Sequence, residues 1–77
     1  MTKSEIKARV AELRRITDTG RTATAFLSYD EGNGQEDRDA KVFAVDAAGY
    51  LDCKEFSGSE FTVHVSELIE VGQVAAY

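Results

Sequence analysis

The stretch SYDEGNGQEDRD, Ser28 to Asp39, packs five carboxylates, two glycines and one asparagine into twelve residues. It reads either as a calcium loop or as the bend between two strands, and the choice decides the fold. A helix-loop-helix calcium loop needs oxygen ligands at positions 1, 3, 5 and 12 and glycine at position 6. Counted from Asp30, positions 3 and 5 are Gly32 and Gly34, which offer no side-chain ligand, and position 6 is Gln35. The calcium pattern fails. Asn33-Gly34, by contrast, is the dipeptide that best tolerates positive φ at both centres of a type I′ turn. The stretch therefore predicts a β-hairpin with Asn33-Gly34 at its tip and a carboxylate-rich rim on both arms.

Working outward, the segments on either side carry strand signals. TATAFLSY, from Thr22, is rich in β-branched and aromatic residues, and AKVFAV, from Ala40, runs to the turn candidate Asp46-Ala47-Ala48-Gly49. YLDCKEF then sets Leu51 and Cys53 on one face and Asp52 and Lys54 on the other, before Ser57-Gly58-Ser59 breaks it. FTVHV alternates clearly, with Phe61, Val63 and Val65 expected inward and Thr62 and His64 outward. LIEV supplies a short last strand after VSEL, a spacing that predicts a single 3₁₀ turn.

The first segment reads differently. Thr2-Lys3-Ser4-Glu5 is a capping-box pattern, and Ile6, Val10, Leu13 and Ile16 follow at spacings of four and three, drawing one apolar stripe. Lys7, Arg9, Arg14 and Arg15 fall away from it. Thr17 to Gly20 reads as the exit loop.

One helix and five short strands cannot lie flat without leaving exposed edges. The expected fold is mostly β with one helix (α+β): a single domain over residues 1–77, with a helix at 3–16, a five-stranded SH3/Sm-like barrel at 22–71 and a tail at 72–77.

Seventy-seven residues leave no room for two cores, and 43 % apolar with 30 % charged residues is ordinary for a globular protein. A core this small sits near the limit of independent stability. Packing of the helix onto the sheet, or a homodimer through its stripe, is the expected remedy. No apolar run approaches the roughly 20 residues needed to span a bilayer, so no membrane contact is expected. No secretory signal is visible, and the lone Cys53 cannot form an internal disulfide. The protein reads as cytoplasmic.

The net charge of −5 is unevenly spread. Residues 1–21 carry six basic against three acidic residues, net +3, and residues 22–77 carry three against eleven, net −8. Arg9, Arg14 and Arg15 give the helix a basic face able to touch phosphates. The acidic body would repel a duplex, so this chain alone is not expected to bind nucleic acid, and a protein partner is expected instead. Cys53 and His64 fall on opposite faces of neighbouring strands, which argues against a nucleophile–base dyad. One Cys and one His are too few to hold a metal, and GNG lacks the helix and the Lys-Ser/Thr pair of a phosphate loop. No enzyme, cofactor or metal site is expected.

The order of features resembles the WYL domain of bacterial transcriptional regulators, itself an Sm-like barrel, over residues 6–71. The matching pieces are FLSYD with Tyr29, Arg38 after the loop, KVFAVDAAGYL with Tyr50-Leu51, and FTVHVSELIEV. Gly49 stands where the signature tryptophan would be, and Phe61 and Glu67 lie near places where basic residues would be expected. The resemblance implies a non-enzymatic regulatory module, accessory to transcription or to a nucleic-acid-processing system, with Tyr29, Arg38 and Tyr50 as contact residues. The alternative is a small acidic inhibitor, of the phage-encoded type, whose Asp30, Glu31, Glu36, Asp37 and Asp39 occupy a basic groove meant for phosphates. A third is a small enzyme using Cys53 and His64.

Overall fold

The structure, a computed structural model, describes all 77 residues. Helix α1 spans Lys3–Asp18, and six strands follow: β1 Ala23–Asp30, β2 Gln35–Val45, β3 Tyr50–Glu55, β4 Glu60–His64, β5 Leu68–Val71 and β6 Ala75–Ala76. A 3₁₀ turn, Val65–Glu67, joins β4 to β5.

The capping box forms as its sequence dictates. The Glu5 N–H donates to Thr2 Oγ1 at 3.1 Å, and the Thr2 N–H donates back to Glu5 Oε1 at 3.0 Å. The helix runs two residues past the expected end because Thr17 is buried and its hydroxyl donates to Leu13 O at 3.0 Å, so its polar group is satisfied inside the helix. Leu13 is fully buried, while Ile6, Val10 and Ile16 pack half-exposed against the core.

All strand pairs are antiparallel, in the order β4-β3-β2-β1-β5, with β6 also on β1. The expected α+β class with one N-terminal helix is present, but the sheet does not close into a barrel. Strands β4 and β5 form its two ends and are linked by the 3₁₀ turn rather than by a ladder. After the turn, β5 pairs with β1 at the opposite edge of the sheet from β4. Helix α1 packs on β2, β5 and β1 and, with the 3₁₀ turn, borders a groove at that end.

Although open, the sheet is rolled. Opposite Cys53 and Asp52, β2 carries an extra residue, Phe43. Such a bulge bends the strand and increases its twist, and here it brings both Val42 and Val45 inward. A second irregularity lies between Ser28 and Tyr29, against β5. The roll sets Tyr29 of β1 on Phe61 of β4, with ring centroids 5.8 Å apart and planes 11° from parallel.

Residues 72–77 are more than a tail. Ala75 and Ala76 pair with Thr24 and Ala23, and the Tyr77 N–H donates to Thr22 O at 2.8 Å. The strands number six rather than five because β5 covers only the far half of β1, leaving its near half free for the chain end.

Candidate binding surface

The hairpin at 28–39 forms, but its turn is not type I′. Positive φ falls on Gly32 (+88°) and Gly34 (+150°), and no non-glycine residue has positive φ. Asn33 is thus not in the left-handed region. The turn closes through the Glu31 N–H donating to Gly34 O at 3.0 Å, with Asp30 Oδ1 accepting from the Gly32 N–H at 2.8 Å. Glycine at the first central position, held by a side-chain cap, outweighs the Asn-Gly preference.

The arms pair residue for residue, from Ala23↔Val42 to Asp30↔Gln35, which makes the acidic rim a firm strip. Asp30, Glu31, Asp37 and Asp39 are exposed. Asp37 is held below the usual carboxylate range, first by the Gln35 amide (3.0 Å) and then by the Ser28 hydroxyl. The two ion pairs of the structure both belong to Arg38, one with Glu55 and a longer one with Glu36 at 3.8 Å. The rest of the rim has no cation partner.

Arg38 is the centre of this region. Its guanidinium carbon lies 5.1 Å from the centroid of Phe61, over the ring face, and Glu55 closes on it from β3. Beneath, Tyr29 is only 3 % exposed. Burial raises its phenol pKa, against the opposing pull of the Arg38 charge. Tyr29 Oη and Arg38 Nε are both buried without a hydrogen-bond partner, an arrangement rare enough to need a reason. An open hollow of about 630 Å³ lies over Arg38, lined also by Glu36, Asp37, Asp39, Glu55, Phe56 and Ser57. Its lining thus holds four carboxylates against one guanidinium.

The three residues singled out for contact do not share a site. Tyr29 and Arg38 come together, but Tyr50 opposite His64 lies at the far end of the β3–β4 ladder, 49 % exposed. Its ring meets the His64 ring edge-on at 4.7 Å. His64 is more than an outward strand residue. Nδ1 accepts from the Ser66 N–H at 3.2 Å, which leaves Nε2 as the donor to Ala48 O at 2.8 Å. It thereby clasps the β2–β3 turn to the 3₁₀ turn.

Cys53 is buried, and burial, then the Asp52 carboxylate, push its thiol pKa up to about 12. Cys53 pairs with Phe61 and His64 with Tyr50, so the two stand three ladder positions apart. No group of three or more His, Cys, Asp or Glu is arranged to hold a metal ion, and no helix is long and apolar enough to cross a membrane.

Of the basic helix residues, two tie the helix down. Arg9 Nη1 donates to Val71 O at 3.4 Å and Arg14 Nη2 to Asp46 O at 2.7 Å. Arg15 is exposed in the last turn, where a cation complements the helix dipole. Glu55, Phe56 and Phe61 belong to the Arg38 region although nothing in the sequence links them to it. They sit 17 to 23 residues away; Glu55 arrives through the β2–β3 ladder, opposite Ala40, and Phe61 through the roll of the sheet. Comparison with protein-family models, with curated proteins and with solved structures gives no match for this chain.

Proposed function

We propose that the protein is a non-enzymatic interaction module that binds a basic, nucleic-acid-binding surface on a partner protein through its β1–β2 hairpin and the hollow beside it. The observation that carries this reading is the hollow's lining, four carboxylates against one guanidinium, continuous with the unpaired Asp30 and Glu31. Such a surface attracts cations and repels phosphates. A partner's arginine or lysine entering the hollow would meet Glu36 and Glu55, which now hold Arg38, and would displace an ion pair rather than desolvate a lone charge.

A second reading is a WYL-like regulator within a transcription or nucleic-acid-associated system. It is favoured by the order of elements: a helix, a four-strand meander, a 3₁₀ turn, and a fifth strand returning to the first. In that reading the unpartnered Arg38 Nε–H would donate a hydrogen bond to a ligand, and Tyr29 Oη would donate or accept one.

The two readings separate in one experiment. The chain and two variants are used for affinity capture at low and high salt, with bound protein and nucleic acid both identified. The first reading expects a basic nucleic-acid-binding protein that is lost at high salt. It expects that protein to be lost also with E31Q/D37N/D39N and kept with Arg38→Ala. Capture of nucleic acid or nucleotide that depends on Arg38 and ignores the neutralised rim would sink it and support the second.

A further inference from the structure

Between α1 and the 3₁₀ turn lies a groove of about 650 Å³. Its walls are apolar, with Ile6 and Val10 from the helix and Val65 and Leu68 from the other side. Ile6, Val10 and Val65 are only half buried by the protein's own packing. Three cations, Lys3, Lys7 and Arg14, line the same groove, and no carboxylate does. That sign is opposite to the chain's net charge of −5. The nearby carboxylates are occupied with caps: Glu5 with the Thr2 N–H and Glu67 with the His64 N–H, at 2.8 Å. Arg14 spends one nitrogen on Asp46 O and keeps its charge.

We infer that this groove is a docking site for an acidic amphipathic helix of a partner protein. The cations at positions 3, 7 and 14 extend over about 16 Å of helix axis, some three turns. An occupant of that length offers apolar side chains at i, i+3 or i+4 and i+7 to the groove floor and flanking carboxylates to the cations. A second copy of this chain does not fit. Its one helix is apolar and basic, and its acidic run is a paired hairpin without apolar anchors. A bilayer does not fit either, because the apolar atoms line a concavity between two elements. This inference is independent of the hairpin reading. With both surfaces engaged, the protein would join an acidic helix at the groove to a basic surface at the hairpin.

The test uses the whole chain and a fluorescent peptide of about 14 residues, with leucines at i, i+3, i+4 and i+7 and glutamates beside them. A scrambled peptide of the same composition, the same helix with lysine for glutamate, and phosphatidylserine vesicles complete the set. Anisotropy should show binding of the acidic helix alone. The scramble and the variant K3E/K7E, altered at exposed positions, should each bind about tenfold more weakly or worse. Backbone amide shifts should move along α1 and at Val65–Ser66 and stay still at the hairpin. Absence of binding, equal binding of the scramble, shifts confined to the hairpin, vesicle binding in place of peptide binding, or self-association relieved by K3E/K7E would each overturn the proposal.

Discussion

The clearest quantitative consequence concerns Cys53. Its side chain is 1 % exposed on the inner face of β3, and its thiol titrates near 12 instead of near 9.0. The folded protein therefore keeps this proton where the unfolded chain has lost it. Between about pH 9 and pH 12 the unfolded state binds fewer protons, so stability falls as pH rises. At pH 10 an ordinary thiol is roughly 90 % ionised, which corresponds to a loss of about 1.4 kcal/mol. By pH 12 the loss approaches about 4 kcal/mol.

Cys53→Ala removes the titration and, by shrinking a packed side chain, costs about 1 kcal/mol at neutral pH. Urea unfolding of both proteins at pH 7 and pH 10 isolates the effect, because lysine and tyrosine ionisation is common to both. With a slope of about 1 kcal/mol per molar urea, wild type should unfold about 1 M higher at pH 7, and the gap should vanish by pH 10. A gap that stays constant would refute the argument. So would alkylation of Cys53 at pH 8.5 as fast in the native protein as in urea. The same result bears on function: a thiol this reluctant to ionise is a poor nucleophile at neutral pH.

Two further perturbations test the architecture. Gly49→Ala places a Cβ at φ +95°, 3.0 Å from Val65 Cγ2 and 3.1 Å from His64 Nε2, and should cost about 2 kcal/mol. By circular dichroism the melting temperature should drop on the order of 10 °C, and an unchanged melt would mean that the His64 clasp yields freely. Removal of Ala75–Tyr77 should speed amide exchange at Ala23–Thr24 and leave Leu27–Tyr29, flanked by β2 and β5, protected. Unaltered exchange at Ala23–Thr24 would show that β6 adds nothing to the edge.

The candidate site was only partly legible in the sequence. The acidic hairpin was, because its residues are consecutive and a ladder of adjacent pairs keeps them together. Arg38 and Tyr29 were legible as a pair for the same reason, being diagonal neighbours across one hairpin, where Arg38 faces Leu27 and Tyr29 faces Glu36. Phe61 and Glu55 were not: Glu55 arrives through the β2–β3 register, opposite Ala40, and Phe61 only when the bulge at Phe43 rolls β4 toward β1. Tyr50 illustrates the reverse. It lies close to the hairpin in sequence, yet the ladder carries it to the far end of the sheet beside His64.

By itself the sequence determined most of the local structure, though neither the type of the hairpin turn nor the end of the helix. The capping box, the three-and-four stripe, the alternation in β4 and the 3₁₀ spacing before β5 all depend on neighbours within a few residues. It also determined that a basic head precedes an acidic body, since charge follows composition alone. Only the tertiary structure decided that the sheet stays open, that the chain end adds a sixth strand, and that His64 clasps two turns. It alone decided which charges are spent and which are free. These outcomes depend on how far a strand bends at one inserted residue and on which edge is left unpaired. Both are set by the packing of the whole core, which no local pattern records.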